Sequence, residues 1–221
     1  MKKILKLLFI LMGSIASLQA MDNSTHQANN DDLTIVPYNV AVHGPIIQQI
    51  YVEAFSSEIP QALKEPSVSS DDRIEVLMKK DQPLGFVMYE EQLLSLGQTF
   101  PDLPTYKDSS AKLNVLRVNY LAIAKKYRAT KKKPGHGFGT RVLTHIKEKA
   151  LSADQDIIAL SATASKSFYE KNGYTKTVPK KIRPHYMALA LNDDVKEIIE
   201  QVKEEREQLN ANAMPRDLNI I

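Results

Sequence analysis

From Leu33 onward the chain alternates between two hydrophobic periods. Leu33–Pro37 reads as a short strand. After Pro45, the residues Ile46, Ile47, Ile50, Ala54 and Phe55 recur at helical spacing and predict an amphipathic helix over about 45–56. Asp72–Lys79 and Pro83–Glu90 flank Lys80-Asp81-Gln82, the pattern of a hairpin. Residues 95–110, with Gly97, Pro101, Pro104 and Asp108, predict a loop, and Lys112–Ala124 is the longest β-like run. A glycine-rich segment follows, then a helix over about 138–152 with Val142, Leu143, Ile146 and Ala150 on one face. Asp156–Ala162 reads as a buried strand, Ala164–Lys171 as a short helix, and Tyr174–Val178 and His185–Leu191 as strands. Mixed elements around a central strand–loop–helix–strand run imply an α/β or α+β sheet domain. The tail from Asp193 places Val195, Ile198, Ile199, Val202 and Leu209 on one face of a charged helix. We read it as packing on its own domain, with a homodimer through this helix as the second reading. No internal repeat is present.

The first twenty residues have a different character. Lys2, Lys3 and Lys6 precede Leu7-Leu8-Phe9-Ile10-Leu11-Met12, and a small-residue stretch runs from Gly13 to Ala20. A basic end, a short apolar run and a small-residue exit predict a signal peptide over 1–20, too short for a membrane span. Cleavage would follow Ala20, or Ala16 with Ser14 at the −3 position. The protein would then be exported, periplasmic or secreted, with no membrane span left after leader removal; translation from Met21 would give a cytoplasmic product. Residues 21–32 are polar and read as a flexible segment.

Composition changes the picture in two places. The 221 residues carry 29 Lys plus Arg against 26 Asp plus Glu, a net charge of +3, and the leader's three lysines account for all of it. The mature chain is formally neutral, so a generally basic surface is not expected. The absence of cysteine excludes disulfide frameworks, zinc ribbons, iron–sulfur sites and thiol nucleophiles. The five histidines show no metal-ligand spacing, so no metal is expected.

Glycine is scarce, with 8 in the chain, yet Gly135, Gly137 and Gly139 fall together between a strand and a helix. Glycines there let backbone N–H groups approach an anion at a helix N-terminus. Lys125, Lys126, Arg128, Lys131, Lys132, Lys133 and Arg141 surround them, with no Asp or Glu between 125 and 141. Unopposed positive charge beside such a cradle suggests a phosphorylated ligand; a solvated basic turn and a nucleic-acid patch are the other readings. The mature chain outside this stretch is net acidic, which argues against nucleic acid as a partner. A P-loop needs Lys then Ser or Thr after its last glycine, and a dinucleotide loop needs G-x-G-x-x-G; neither spacing is present.

In order, these segments resemble the GNAT superfamily of N-acetyltransferases. Leu121-Ala122-Ile123 leads into Tyr127-Arg128 and then Gly135-His136-Gly137-Phe138-Gly139-Thr140-Arg141-Val142-Leu143, similar to that family's acetyl-CoA pyrophosphate loop and helix. Further on, Ser167-Phe168-Tyr169-Glu170-Lys171-Asn172-Gly173-Tyr174 resembles the family's F-Y-E-K-x-G-F/Y segment. The resemblance implies a GNAT-like domain over 33–191 with a mixed, mostly antiparallel central sheet flanked by helices, followed by an appended helix and tail over 192–221. It implies acetyl-CoA as co-substrate. Leu121 and Ile123 would offer backbone groups to the pantetheine arm and thioester. Gly135, His136, Gly137, Phe138, Gly139 and Thr140 would bind the pyrophosphate, and Tyr169 would protonate the departing thiolate. Three positions depart from the pattern: Pro134 stands where Arg or Gln is usual, Ala129–Lys133 reads as an insertion, and Ala162 replaces a common Asn.

The implied activity is acetyl transfer from acetyl-CoA to a primary amine by direct attack in a ternary complex. The alternative is a GNAT-fold CoA-binding or secreted effector module without transferase activity. The helix near Ile46–Phe55, the 95–110 segment and the last strand would shape the acceptor cleft. For the base, Glu90, Glu91 and His185 are candidates beside an ordered water.

Overall fold

A computed structural model describes residues 32–65, 72–100, 103–106, 108–130, 135–162, 165–177 and 185–213. The leader-like residues 1–20 and the polar residues up to 31 lie outside the described residues, as does Pro134. The described residues from Leu33 onward belong to one compact unit. Among the described residues, seven strands make one sheet: β1 (Leu33–Pro37), β2 (Arg73–Lys79), β3 (Gln82–Ser95), β4 (Lys112–Ile123), β5 (Ile157–Ala162), β6 (Thr175–Lys176) and β7 (His185–Ala190). Their order is β1-β2-β3-β4-β5-β7-β6. Every neighbouring pair is antiparallel except β4 with β5. A parallel pair needs a crossover, and α4 (Phe138–Ser152) supplies it. The remaining helices are α1 (Val40–Phe55), α2 (Gln61–Lys64), α3 (Leu96–Thr99), α5 (Lys166–Lys171) and α6 (Asp193–Ala213).

The two-residue period of the strands sorts their side chains onto two faces. Leu77, Val87, Tyr89, Leu116, Val118, Ile158, Leu160 and Met187 face α4 and α5, burying Val142, Leu143, Ile146 and Tyr169 of those helices. The opposite face carries two separate apolar clusters. Val76, Met78, Phe86, Met88 and Ala122 lie under Ile47, Ile50 and Tyr51 of α1. Leu113, Val115, Ile157 and Ala188 lie under Leu96 of α3 and Val195, Ile199 and Val202 of α6. Ile198 is half-buried, and Leu209, farther along, is 43% exposed.

Two segments differ from the sequence expectation. Helix α1 begins at Val40, ahead of Pro45, because Asn39 caps it by accepting from the N–H groups of Ala41 and Val42 at 3.0 and 3.3 Å. Pro45 then removes only its own helical hydrogen bond. The 95–110 segment contains α3 and a 3-10 turn at Pro104–Tyr106 instead of an open loop. Ser95 and Gln98 form a reciprocal capping box at its start. Leu96, Phe100, Leu103 and Tyr106 are then buried against α6, which turns the segment into core.

Helix α4 is pinned to the sheet by an ion-pair network. Glu75 of β2 accepts from His145 at 2.8 Å and from Lys149 at 2.7 Å, two residues one turn apart on α4. Burial alone would raise the Glu75 carboxyl; the hydrogen bonds from Lys149 and His145 outweigh it and hold the group below its usual value. A carboxyl lowered in the folded state stabilises the fold above its unfolded value, and that contribution is lost as the pH falls through the lowered one. Glu75→Gln is therefore expected to cost about 1–3 kcal/mol at neutral pH. Urea unfolding of both proteins across pH checks this: the difference should shrink toward acid, and a constant difference would contradict it.

Candidate functional site

The ladder between β4 and β5 joins only Val115–Val118 to Ile157–Leu160. Both strands continue, β4 to Ile123 and β5 to Ala162, but apart. The separation begins at a β-bulge: Met88 pairs with Tyr120 and Tyr89 with Val118, so Asn119 has no partner in the β3–β4 register. A bulge bends its strand and increases its twist. It also changes which residues face the gap. Before the bulge the Asn114 carbonyl points toward β5, accepting from Asp156 N–H. Beyond it, Ala124 N–H donates across β3 to Leu84 at 2.8 Å. Backbone groups alternate in direction along an antiparallel ladder. Ala122 therefore turns toward β3, and Leu121 and Ile123 turn their N–H and C=O groups toward the opened edge. Arg128 Nε donates to the Ile123 carbonyl there. Its Nη2 is buried without a hydrogen-bond partner among the described residues.

The glycine segment closes on the same place. A Cβ on Gly135 would lie 3.0 Å from the Ala129 nitrogen, so Gly135 and Ala129 lie against each other. Gly137 is the N-cap of α4 at φ 72°, with no capping side-chain hydrogen bond. This left-handed conformation favours glycine. The first-turn N–H groups of α4 are consequently free to meet a ligand, and no acidic residue occupies that turn. Tyr127, His136 and Phe138 form an aromatic cluster with ring separations of 5.4–5.7 Å, His136 stacked on Phe138. Lys126 Nζ sits 4.8 Å from the Tyr127 ring. Lys125, Lys126, Thr140 and Arg141 are exposed.

Gly139 brings the second motif to the first. A Cβ there would meet the Phe168 ring at 2.9 Å, a separation that only glycine allows without moving the ring. The adjacent Tyr169 is 9% exposed and packs with Phe168 and Tyr174 at ring distances of 5.0 and 5.8 Å. Burial pushes its phenol up to about 12, so the Tyr169 hydroxyl keeps its proton at ordinary pH. The Tyr174 phenol is raised further, by burial and then by Tyr169, and its hydroxyl is buried without a hydrogen-bond partner among the described residues. Tyr169 and Ile123 belong to one apolar cluster, with Ala162 of β5 and Val142 of α4.

The candidate bases separate. Glu90 lies on the face opposite α4, directly across from Arg117, while Glu91 lies opposite Leu116 on the α4 face and pairs with Arg73 at 3.3 Å. His185 opens β7, and its side chain lies outside the described residues. Sequence reading overlooked Asn119, whose amide donates to Asp72 at 2.9 Å and to Glu90 at 3.3 Å. An Asn inside the otherwise apolar stretch Val118–Ala124 is the signal that points to it. Among the described residues no group of His, Asp or Glu is placed to hold a metal ion, and no helix is long and apolar enough to cross a membrane.

The sequence matches no protein-family model. None of the curated proteins is similar to it in sequence either. Solved structures are similar in fold. Ard1 from Thermoplasma volcanium is 13% identical, with a TM-score of 0.50 over 73% of this chain and 99% of its own. A protein assigned to the GNAT family from Desulfovibrio desulfuricans is 10% identical, with a TM-score of 0.50 over 72% of this chain and 99% of its own. A GNAT-family acetyltransferase from Elizabethkingia anophelis with acetyl-CoA bound is 14% identical, with a TM-score of 0.49 over 73% of this chain and 100% of its own. The chain carries the GNAT fold.

Two glycine replacements distinguish the contacts. Gly139→Val must displace Phe168 and is expected to cost about 1–3 kcal/mol. Gly137→Ala has open space but an unfavourable φ and should cost about 1 kcal/mol. Urea unfolding measures both, and an unchanged midpoint for Gly139→Val would show that Phe168 does not hold this position.

Proposed function

We propose that this protein transfers an acetyl group from acetyl-CoA to a primary amine by direct attack in a ternary complex. The observation that carries the reading is the early end of the β4–β5 ladder, which leaves the Leu121 and Ile123 backbone groups facing a gap beside the start of α4. An extended pantetheine arm carries amide groups that can complete such an edge as a strand would. The free N–H groups at Gly137–Thr140, with Lys125, Lys126 and Arg141 nearby, suit a pyrophosphate.

Acetyl-CoA supplies the thioester carbonyl and a thiolate leaving group. A backbone N–H on the opened edge stabilises the oxyanion that forms on attack, an effect worth about 3 kcal/mol for one such donor. Tyr169 holds the proton that the departing sulfur takes. General-acid catalysis of this kind contributes typically ~10²–10⁴-fold. Burial keeps the phenol protonated at neutral pH, so the proton is in place when the thiolate departs. The leader-like residues 1–20 extend the proposal to an exported protein that uses the acetyl-CoA of a recipient cell.

Acetyl-CoA at ~100 times its dissociation constant should stabilise the protein by about 2.7 kcal/mol in a thermal-shift experiment. No shift at millimolar acetyl-CoA or CoA would overturn cofactor binding. A shift without CoA release across an amine panel would instead favour a binding module without transferase activity. Tyr169→Phe should lower turnover by ~10²-fold or more with cofactor affinity nearly unchanged; undiminished turnover would remove Tyr169 from the acid role.

A further inference from the structure

Among the described residues, the sheet face opposite α4 is covered at both ends and open in the middle. Along β3, Phe86 and Met88 lie in the cluster under α1, and Leu94 packs on the cluster under α3 and α6. Along β4, Tyr120 and Ala122 pack at the α1 end, and Leu113 and Val115 at the other. Between the two clusters the same face presents Glu90 of β3 with Arg117 and Asn119 of β4, and Asp72 just ahead of β2. Arg117 is 55% exposed in its side chain, so this strip is open to solvent, whereas Glu90 is only 18% exposed. The strip reaches the fork of the sheet, since Asn119 directly follows Val118, the last β4 residue paired with β5.

Glu90 is held there from two sides. The Asn119 amide donates to Oε1 at 3.3 Å while also donating to Asp72 at 2.9 Å, and Arg117 Nη1 stands 3.9 Å from the same oxygen. The bulge creates this arrangement. Without the extra residue, Asn119 would fall into register opposite β3 and the open edge would carry the other set of backbone groups. The same irregularity thus exposes the Leu121–Ile123 edge and sets a carboxylate beside the place where that edge begins. Glu91, one residue on, lies on the α4 face, away from Asn119, and is engaged with Arg73.

We infer that Glu90 is the general base for the acceptor amine, that Asn119 is its positioning residue, and that the acceptor enters over the strip between α1 and α3. The inference rests on the acetyl-transfer reading above. The Glu90 carboxylate takes a proton from the acceptor's ammonium group, and the freed nitrogen lone pair attacks the thioester carbon. The C–N bond forms and the C–S bond breaks, with its electron pair leaving on sulfur. Tyr169 protonates that sulfur, and the surplus proton on the new amide nitrogen restores the phenol through solvent. The proton on Glu90 is released to solvent, so the products are the amide, CoA thiol and one proton. The charged groups around Glu90 are Arg117 and Asp72, with the phenols of Tyr120 in β4 and Tyr51 in α1 toward the α1 side.

The test follows CoA thiol release from acetyl-CoA across pH, with spermidine, a lysine-containing octapeptide and glycine ethyl ester as acceptors. Glu90→Gln should lower kcat/KM by ~10²-fold or more at neutral pH. That loss should narrow as pH rises and the amine deprotonates unaided, and stabilisation by acetyl-CoA should match the wild type. Glu90→Asp, which keeps a carboxylate but draws it back from the acceptor, should recover part of that loss. Asn119→Ala should lower kcat more than it raises KM for the acceptor. Wild-type-like rates and pH profiles in Glu90→Gln would overturn the assignment while leaving acetyl transfer intact. Should Glu90→Gln fail to fold, an undiminished kcat in both Glu90→Asp and Asn119→Ala would overturn it alone. If the wild type shows neither stabilisation by acetyl-CoA nor thiol release with any acceptor, the transferase reading itself falls, and this assignment with it.

Discussion

Parallel pairing between β4 and β5 stops at Val118, and the rest of the site depends on that interruption. Backbone N–H and C=O groups inside a sheet are strong donors and acceptors that are seldom left unmatched. An opened internal edge is therefore stable only where solvent, a side chain or a ligand completes it. Arg128 completes one group, the Ile123 carbonyl; those of Leu121 remain turned toward the gap. The crossover helix required by any parallel pair must start where β4 ends. The free N–H groups of α4 consequently lie at the mouth of the same gap without a separate device to bring them there.

Packing makes the arrangement specific. The absence of a side chain at Gly139 lets the Phe168 ring approach α4, and the turn that follows buries Tyr169 beside Ile123 in the same cluster. Burial serves two ends at Tyr169: it anchors α5, and it keeps the phenol protonated. The Glu75–His145–Lys149 network fixes the far half of α4 to β2, so the helix is held at its middle while its N-terminal turn stays free. On the opposite face the two clusters under α1 and under α3 and α6 leave a polar strip between them. Charged side chains there are affordable because neither helix layer covers them.

Contact between Ala129 and Gly135 brings the chain after β4 back beside the start of α4. The Arg128 guanidinium stays tied to the end of β4, with one nitrogen still lacking a protein partner among the described residues.

Much of the fold was readable in one dimension. A short, nearly continuous apolar run marks β5 as a buried strand, and its Ile157 and Ala159 face one cluster while Ile158, Leu160 and Ala162 face the other. The 3.6-residue period of Val142, Leu143, Ile146 and Ala150 defines α4 with its observed limits, Phe138–Ser152. The glycine spacing and the FYEKNGY segment pointed to their neighbourhood because glycine requirements and aromatic burial are local properties of the chain. Elements whose order comes from distant partners were not readable. Residues 95–110 look like a loop until α6, about a hundred residues later, covers Leu96, Phe100 and Tyr106. The bulge at Asn119 is a matter of register between β3 and β4, and register is decided by cross-strand pairing that no single strand encodes. The sequence by itself therefore determined most of the elements and singled out the glycine segment and Tyr169. Only the tertiary structure decided where the sheet opens and that Glu90, unlike Glu91, stands beside the opening, because adjacent strand residues point to opposite faces and one extra residue changes what each face meets.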